Sequence, residues 1–401
     1  MRRLTYWLSL FMIFMVPWEG LVEVPGVGTV SRLVGFVVAG LWLWSVVCSG
    51  RIRRVTPFHF FVFLFFSWNA ISILWSSDID QTLSQTVLYA RMAGLILVIW
   101  NVYDTPASVR AGLQAFVLGS FVPVGDVIHN FVVGNVYGFT RYSATGSDPN
   151  TAGILIAFAT PVALYLGTVA HPGGNGNLMR VVNYAYVPAA LFAIALTATR
   201  FALVMTVPAL VFGLVSLSRL KVPARALISA GLLGTLAFLP SLVPDTSLTR
   251  LSSTLDEVQA GDLNGRTALW KEGLSMWVDR PILGIGSDAF PSSVASIYGR
   301  PRSIHSSFVA VLVETGLVGL ILLGVILGTA AYQVRYLPKW EARLWMAMLV
   351  VWALGNSVMT WMDQKSTWLL LSLLVASAAN RLHQPLLSEG RAAPLRAITE
   401  A

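Results

Sequence analysis

Charged residues are scarce in this chain of 401 residues: Asp, Glu, Lys and Arg together make up 11% of it, whereas 56% is hydrophobic. Soluble domains carry about 25% charged residues. A chain with so few charges cannot cover its own apolar surface, which excludes an ordinary water-soluble globular protein. We therefore expect a protein whose main solvent is the lipid bilayer.

The residues that hold metals or cross-link a fold are also few. The one cysteine, Cys48, cannot form an intrachain disulfide. The five histidines are scattered, so we predict no metal site and expect no cofactor. The chain has no internal repeat of the kind that marks many secondary transporters.

Long apolar runs are what the chain has in abundance. One membrane span needs about 20 apolar residues, and twelve runs reach or approach that length. We therefore predict an all-α, polytopic integral membrane protein with about twelve transmembrane helices. The runs lie near residues 4–18, 28–48, 57–75, 82–103, 107–128, 149–169, 181–198, 201–218, 224–241, 304–330, 343–361 and 366–380.

The basic residues are distributed unevenly along these runs. With the N-terminus in the cytoplasm, sixteen of the 27 Lys and Arg residues fall on the inner side, as the positive-inside rule requires. The net charge of +8 thus reflects membrane orientation, and we expect no nucleic-acid partner. The threading gives spans one to nine within 1–241, a periplasmic helical loop over 242–303, spans ten to twelve within 304–380, and a cytoplasmic tail over 381–401.

The periplasmic loop carries a second, smaller helix signal. Residues 264–281 have an apolar residue or glycine every four positions, and Pro281 ends the pattern. Such a helix is suited to lie over the spans as a roof for a cavity. Simple packing on the spans is the alternative.

Several cations remain on the outer side, where the positive-inside rule disfavours them. A charge buried in the bilayer costs at least about 2.5–3.5 kcal/mol, and arginine suits a bidentate grip on phosphate. We therefore predict a phosphate or pyrophosphate ligand, with a structural pair to Asp126 as the alternative for Arg91 and an interface anchor as the alternative for Arg200. The cations are Arg91, Arg141, Arg200, Arg266, Arg280, Arg300, Arg302 and Lys365.

A histidine stands at the start of the tenth run. If Ser303 is the N-cap, His305 lies in the first helical turn. There the helix dipole and the neighbouring arginines favour the neutral imidazole that a general base needs. On a continuous helix Glu314 would lie on about the opposite face, roughly 13 Å deeper, which predicts a structural or gating role. A histidine that only hydrogen-bonds the helix start is the alternative.

Four short motifs follow one another along the chain: Asp148 and Asn150 in "SDPNTAG", the Thr199–Arg200 turn, then Gly265, Arg266, Trp270, Pro281, Gly284 and Gly286, and finally His305 with Glu314, Gly316 and Gly319. In this order they resemble the motifs of the O-antigen ligase and polymerase family of membrane glycosyltransferases. One departure is Ser306, where the family pattern has asparagine.

The resemblance implies a metal-independent, inverting transferase in the bacterial inner membrane, with its active site facing the periplasm. Its donor would be O-antigen on undecaprenyl pyrophosphate, and its acceptor would be lipid A–core. Membrane lipids would surround it. An O-antigen polymerase of the same family is one alternative. A transporter or flippase of lipid-linked glycans is another, from a different functional class.

The resemblance also suggests roles for individual residues. His305 would remove the proton from the acceptor hydroxyl. The pyrophosphate would be held by Arg200 and Arg266, with Arg91 and Arg141. Possible supporting residues are Arg302, Asp148, Asn150, Asp363 and Lys365.

Overall fold

The computed structural model describes residues 1–24, 26, 28–138, 141–169, 176–253 and 265–382. The tail predicted over 381–401 lies outside these residues beyond Leu382, as does part of the predicted periplasmic loop. In chain order the helices are α1 (Arg2–Met15), α2 (Val30–Ser49), α3 (Pro57–Ile71), α4 (Ile79–Val102), α5 (Pro106–Val132), α6 (Pro149–Thr168), α7 (Gly176–Thr197), α8 (Arg200–Leu217), α9 (Val222–Leu242), α10 (Asp245–Ser252), α11 (Arg266–Asp279), α12 (Phe290–Ser293), α13 (Ala295–Tyr298), α14 (Ser307–Gln333), α15 (Lys339–Val358) and α16 (Lys365–Leu382).

The prediction of an all-α, polytopic membrane protein is confirmed. Within the described residues, nine helices are long and apolar enough to cross a membrane, namely α2–α9 and α14 with its extension to Tyr336. The three other predicted runs are also helical, as α1, α15 and α16. α1 has only 14 residues, and α15 and α16 both begin at a lysine. The strands of the described chain form one small ribbon, Glu23–Val24 against Gly28–Thr29.

Side-chain caps set the starts of several long helices. Asp78 accepts a hydrogen bond from the Gln81 amide (3.1 Å) at the start of α4. Thr105 accepts one from the Ser108 amide (3.1 Å) at the start of α5. Each cap satisfies an amide that the first turn leaves without a partner. The helix starts therefore follow from local sequence, whereas the positions of the helices depend on packing.

The centre of the bundle is α6. Of its 18 most apolar consecutive residues, 83% are buried, and it packs against α5, α7, α8 and α15. Its sequence, PNTAGILIAFATPVALYLGT, is apolar around the whole circumference, which is expected for a helix surrounded by others. The N-terminus of α6 carries Asp148 and Asn150, so the best-packed helix of the protein supports part of the candidate site.

One long helix, α14, is broken in the middle. Gly316 has φ 68° and ψ −168°, far from helical values. The segment 281–286 and one tryptophan complete the hydrogen bonding that the helix loses there. The bonds run from the Ile285 amide to the Val313 carbonyl (3.1 Å), the Gly286 amide to the Glu314 carbonyl (2.9 Å), the Leu317 amide to the Pro281 carbonyl (2.9 Å) and Trp68 Nε1 to the Thr315 carbonyl (2.9 Å).

Glycine is required on both sides of this junction. A Cβ at Gly316 would lie 2.0 Å from the Ile282 carbonyl oxygen, and a Cβ at Gly284 would lie 2.4 Å from the Glu314 backbone. Both glycines also have positive φ, 68° and 72°. The motifs Pro-x-x-Gly-x-Gly and Glu-x-Gly-x-x-Gly are therefore two halves of one backbone joint.

Replacing Gly316 by alanine tests this joint. We expect Gly316→Ala to destabilise the protein by about 1–3 kcal/mol from backbone strain alone, with the clash against the Ile282 carbonyl adding to it. Thermal unfolding of the purified protein in detergent measures the change.

Gly328→Ala is the matched control for that substitution. Gly328 lies on the same helix, and an added Cβ would meet nothing within 4 Å. Because alanine favours helix over glycine by about 1 kcal/mol, the control should unfold at the same or a higher temperature. Equal unfolding temperatures for the two variants would contradict the joint.

Candidate functional site

His305 lies just outside the helix that the sequence places it in. The helix α14 begins at Ser307, and Ser306 is its N-cap, accepting a hydrogen bond from the Val309 amide (3.4 Å). His305 has φ 52°, a left-handed conformation that a helical turn cannot contain. The prediction of Ser303 as N-cap, with His305 in the first turn, is therefore wrong.

The left-handed backbone at His305 is held from both sides. The serine that was predicted as the cap instead bonds a hydroxyl of the α15–α16 turn, and a tryptophan of α11 bonds the backbone next to the histidine. A non-glycine residue at positive φ is rare and persists where its surroundings fix it. The bonds are Ser303 Oγ with Thr360 Oγ1 (2.5 Å), the Ser307 amide to the Met359 carbonyl (3.1 Å), Ser307 Oγ to Asn356 Oδ1 (2.6 Å) and Trp270 Nε1 to the Ile304 carbonyl (2.9 Å).

The predicted loop helix is confirmed as α11. It packs on α14 and buries Leu269 and Gly273. Leu269 belongs to a small apolar cluster with residues of α12 and α14 and with Ile304, next to His305. The predicted alternatives were a roof over a cavity and simple packing on the spans. The described part of this helix packs on α14, next to His305.

A cavity of about 330 Å³ opens beside His305; we call it the histidine cavity. Three carboxyl groups line it together with the histidine: Asp288, Glu314 and Asp363. The prediction that Glu314 faces away from His305 is therefore wrong. It assumed one continuous helix that contains both residues, whereas the histidine precedes α14.

Electrostatics keep the histidine neutral. Burial lowers the pKa of His305 below its ordinary value, Arg266 and Arg302 lower it further, and Asp148 opposes them. Its Nδ1 atom is buried and has no hydrogen-bond partner among the residues that the structure describes. A neutral imidazole with an unused ring nitrogen is what a general base requires.

The pKa values of two carboxyl groups in the cavity shift upward, opposite to the downward shift of His305. Burial raises the pKa of Asp363 to about 6, and within the described part of the chain its Oδ1 atom has no hydrogen-bond partner. Burial, followed by the charge of Asp78, also raises the pKa of Asp288. The histidine cavity therefore offers carboxyl groups that bind hydroxyl groups well, in either protonation state.

The predicted arginines of the α5–α8 region meet around the N-terminus of α6. Arg141 donates to the Thr197 carbonyl (2.8 Å), to Asn150 Oδ1 (2.8 Å) and to Thr199 Oγ1 (3.0 Å). Asp148 caps α6 by accepting from the Asn150 amide (2.9 Å). Burial lowers the pKa of Arg141 to about 10, and the charge of Arg250 is the next cause.

Arg200 joins the same region from the start of α8. Its Nε donates to the Arg250 carbonyl (2.7 Å) and its Nη2 to Ser253 Oγ (2.8 Å). We call Arg141, Arg200 and Arg250 the arginine cluster. Arg250 was missed by the sequence reasoning, although it is a further cation in the predicted periplasmic loop.

Arg266 and Arg302 lie nearer the histidine. Both act on the pKa of His305, and burial lowers the pKa of Arg266 itself. The guanidinium carbon of Arg302 lies 4.9 Å from the centre of the Tyr298 ring. Asp148 influences both Arg141 and His305, so it connects the histidine with the arginine cluster.

Two predicted site residues are placed elsewhere. Arg91 and Lys365 line a pocket of about 450 Å³ between α2 and α4, the α2–α4 slot, which His305 does not line. Lys365 forms an ion pair with Glu19. The alternative pair of Arg91 with Asp126 is not formed in the described structure, where Asp126 accepts from the Thr145 amide (2.5 Å).

Several residues of the histidine cavity were missed by the sequence reasoning. They come from α3, α4 and the segment after the glycine motif, namely Asn69, Gln85, Tyr89 and Asp288. Asp288 has φ 57° and follows Gly286 by two positions, so a motif followed by an acid was the available signal. For the other three, polarity within an apolar run was the only hint.

Two comparisons relate this chain to known proteins. Residues 185–324 match the protein family described as O-antigen ligase. The "Exopolysaccharide production protein ExoQ" of Rhizobium meliloti (strain 1021) is 26% identical over 326 residues, which cover 76% of this chain and 71% of that protein. The family match contains Arg200, Arg266 and His305, and Asp148 lies before it.

Proposed function

We propose, from the premise that this chain belongs to the O-antigen ligase family, that it transfers a glycan from undecaprenyl pyrophosphate to a sugar hydroxyl of lipid A–core. The observation that carries the proposal is the position of His305 in a cavity that three carboxyl groups also line, with its Nδ1 atom unbonded within the described residues and with Arg266 and Arg302 lowering its pKa. The chain would lie in the bacterial inner membrane. Its loop 242–303 would lie in the periplasm, between spans one to nine and spans ten to twelve.

His305 would act on the acceptor. An acceptor hydroxyl in the histidine cavity would give its proton to the imidazole while its oxygen attacks the anomeric carbon of the donor. The bond from that carbon to the pyrophosphate oxygen would break, and attack from the opposite side would invert the anomeric configuration. The carboxyl groups of Asp288 and Asp363 would orient the sugar through hydrogen bonds.

The arginines would act on the leaving group. The pyrophosphate gains negative charge as the bond breaks, and guanidinium groups fixed in place stabilise that charge. Arg200 and Arg266 would hold it directly, with Arg141 behind them and Asn150 and Thr199 orienting Arg141. In this mechanism guanidinium groups supply the positive charge, so no divalent ion is required.

Substitution of the histidine and of the arginines should have different effects. We expect His305→Ala to reduce transfer by about 100-fold or more, the usual size of a general-base contribution, with donor binding retained. Arg200→Ala and Arg266→Ala should weaken donor binding, and Arg→Lys should restore it poorly because the fork is lost. Transfer rates and donor binding by the purified protein measure the two effects separately.

Two control measurements accompany these variants: the unfolding temperature of each variant and transfer by the wild type in excess chelator. Each variant should unfold at about the wild-type temperature, and the wild type should remain active in excess chelator. Normal transfer by His305→Ala would refute the base, and strict dependence on a divalent ion would refute the role of the arginines.

The pH dependence of the reaction tests the same base through its neighbours. Activity should fall as the pH is lowered through the pKa of His305, which lies below the ordinary value of 6.5. Arg302→Gln removes a cation that lowers this pKa and should move the acid limb of kcat/KM upward. Asp148→Asn removes an anion that raises it and should move the limb downward, with the helix cap preserved.

The two shifts have opposite signs, so a general loss of stability cannot imitate them. The free enzyme's essential groups determine the limb of kcat/KM. If neither variant moves the midpoint, a group other than His305 controls the acid limb.

A polymerase of the same family is the second candidate, and two observations favour it. Arg32, Arg91 and Lys365 form a second group of cations, in the α2–α4 slot, and a polymerase binds a second lipid pyrophosphate. The relative from Rhizobium meliloti is named for exopolysaccharide production. Both reactions use the same base and the same donor, and they differ in the acceptor.

Purified protein with defined acceptors separates the candidates. A preformed lipid-linked polysaccharide with lipid A–core should give a shifted lipopolysaccharide band if the protein is a ligase. Lengthening of single lipid-linked repeat units without lipid A–core would instead identify a polymerase. Failure with both acceptors would contradict the transferase proposal.

A further inference from the structure

The α2–α4 slot combines apolar walls with basic side chains. Its lining includes Met12, Phe36, Leu95 and Val98 on the walls. Arg32, Arg91 and Lys365 are the charged residues among the described lining residues, and no carboxylate is among them, although Lys365 also forms an ion pair with Glu19 outside the lining. Apolar walls together with cations match the two parts of a phosphorylated lipid, its chain and its head group.

Arg91 is the least expected of these cations. It stands in the middle of α4, in the apolar stretch TVLYARMAGLIL, and its side chain is exposed at the protein surface. Its guanidinium carbon lies 6.0 Å from the centre of the Phe36 ring, and that ring is 56% exposed. A cation within a span normally has a partner or faces a cavity, and a lipid phosphate drawn into the slot would be an anionic partner.

Small residues make the room in the slot. Gly94 and Ala90 line it from α4, and Gly35 and Ala39 line it from α2. A Cβ at Gly94 would meet nothing within 4 Å. These small side chains leave the space between the two helices open, and larger side chains at the same positions would fill it.

The slot is connected to the site through one turn of the chain. Three consecutive residues at the start of α16 line three different cavities. Asp363 lines the histidine cavity, Gln364 lines a polar pocket that also contains Asp148, and Lys365 lines the slot. A lipid head group in the slot would therefore lie beside a polar path that leads toward Asp148.

We propose that the α2–α4 slot binds the phosphorylated lipid anchor of the acceptor glycan. The inference rests on the proposed transferase function and assigns Arg91 and Lys365 to the acceptor. The donor pyrophosphate is attached directly to the reacting carbon, so it must lie near His305, where Arg266 and Arg302 act on the imidazole. The acceptor hydroxyl is separated from its own anchor by at least one sugar, and the polar pocket between slot and site leaves space for it.

Filling the slot without changing its charge is the sharpest test. Gly94→Leu should raise the KM for the lipid-linked acceptor by about tenfold, a loss of about 1.4 kcal/mol of binding, with kcat and the KM for the donor nearly unchanged. Gly40→Leu is the matched control, since Gly40 lies in open space on α2 outside the lining. Arg91→Ala should raise the acceptor KM similarly, and Arg91→Lys should restore part of it.

A binding measurement separates this inference from the proposed reaction. Protein is extracted from phosphatidylethanolamine vesicles that contain lipid A, polyprenyl phosphate or unphosphorylated polyprenol, and retained lipid is counted by native mass spectrometry. Wild type and Gly40→Leu should retain an additional phosphorylated lipid that Gly94→Leu and Arg91→Ala lose, and polyprenol should not be retained.

Equal retention by all four proteins would overturn the slot as a phosphate-lipid site, whatever the reaction proves to be. An effect of Gly94→Leu on the donor KM instead of the acceptor KM would overturn the assignment to the acceptor. Absence of any transfer by the wild type, with retention as expected, would refute the proposed reaction and with it the acceptor role.

Discussion

The break in α14 at Gly316 is the constraint on which the candidate site depends. A helix that crosses a bilayer normally satisfies its own backbone, and each unsatisfied group in lipid costs several kcal/mol. Here the carbonyl groups of residues 313–315 receive donors from elsewhere in the chain, and the Leu317 amide donates to the Pro281 carbonyl. The broken helix and the segment 281–286 are therefore stable only together.

This mutual dependence brings distant parts of the chain to one place. The docked segment continues directly to Asp288, which lines the histidine cavity, and the preceding helix α11 packs on α14 above it. Trp68 ties α3 to the same break. The turn between α15 and α16 fixes the other side of His305 through Met359 and Thr360. A histidine with strained backbone can persist here because every neighbouring segment is held by hydrogen bonds.

The sequence alone was sufficient for the helices and for the motifs, because both are local. All twelve apolar runs are helical, and the helix before Pro281 exists. What failed was reasoning that extended a regular helix through an irregular place. A left-handed backbone at a histidine has no sequence signal, whereas glycine often marks one. The sequence around Gly316 is apolar and predicts a continuous helix.

The division of the predicted cations into two groups could not be predicted from the sequence either. Arg91, Arg141, Arg200 and Lys365 share a predicted side of the membrane, and their positions in the sequence do not divide them into groups. Their grouping depends on which helices are neighbours, and α4 packs on α2 whereas α8 packs on α6. Arg32 and Arg250 were overlooked because one lies in a predicted span and the other in a polar loop helix, where arginine is unremarkable.

A structure of the protein with a non-transferable undecaprenyl pyrophosphate glycan is the most direct test of the central claim. The account predicts the pyrophosphate within hydrogen-bond distance of Arg200 and Arg266, about 3 Å, with the anomeric carbon facing His305. A pyrophosphate bound by Arg91 and Lys365, with the anomeric carbon turned away from His305, would contradict it.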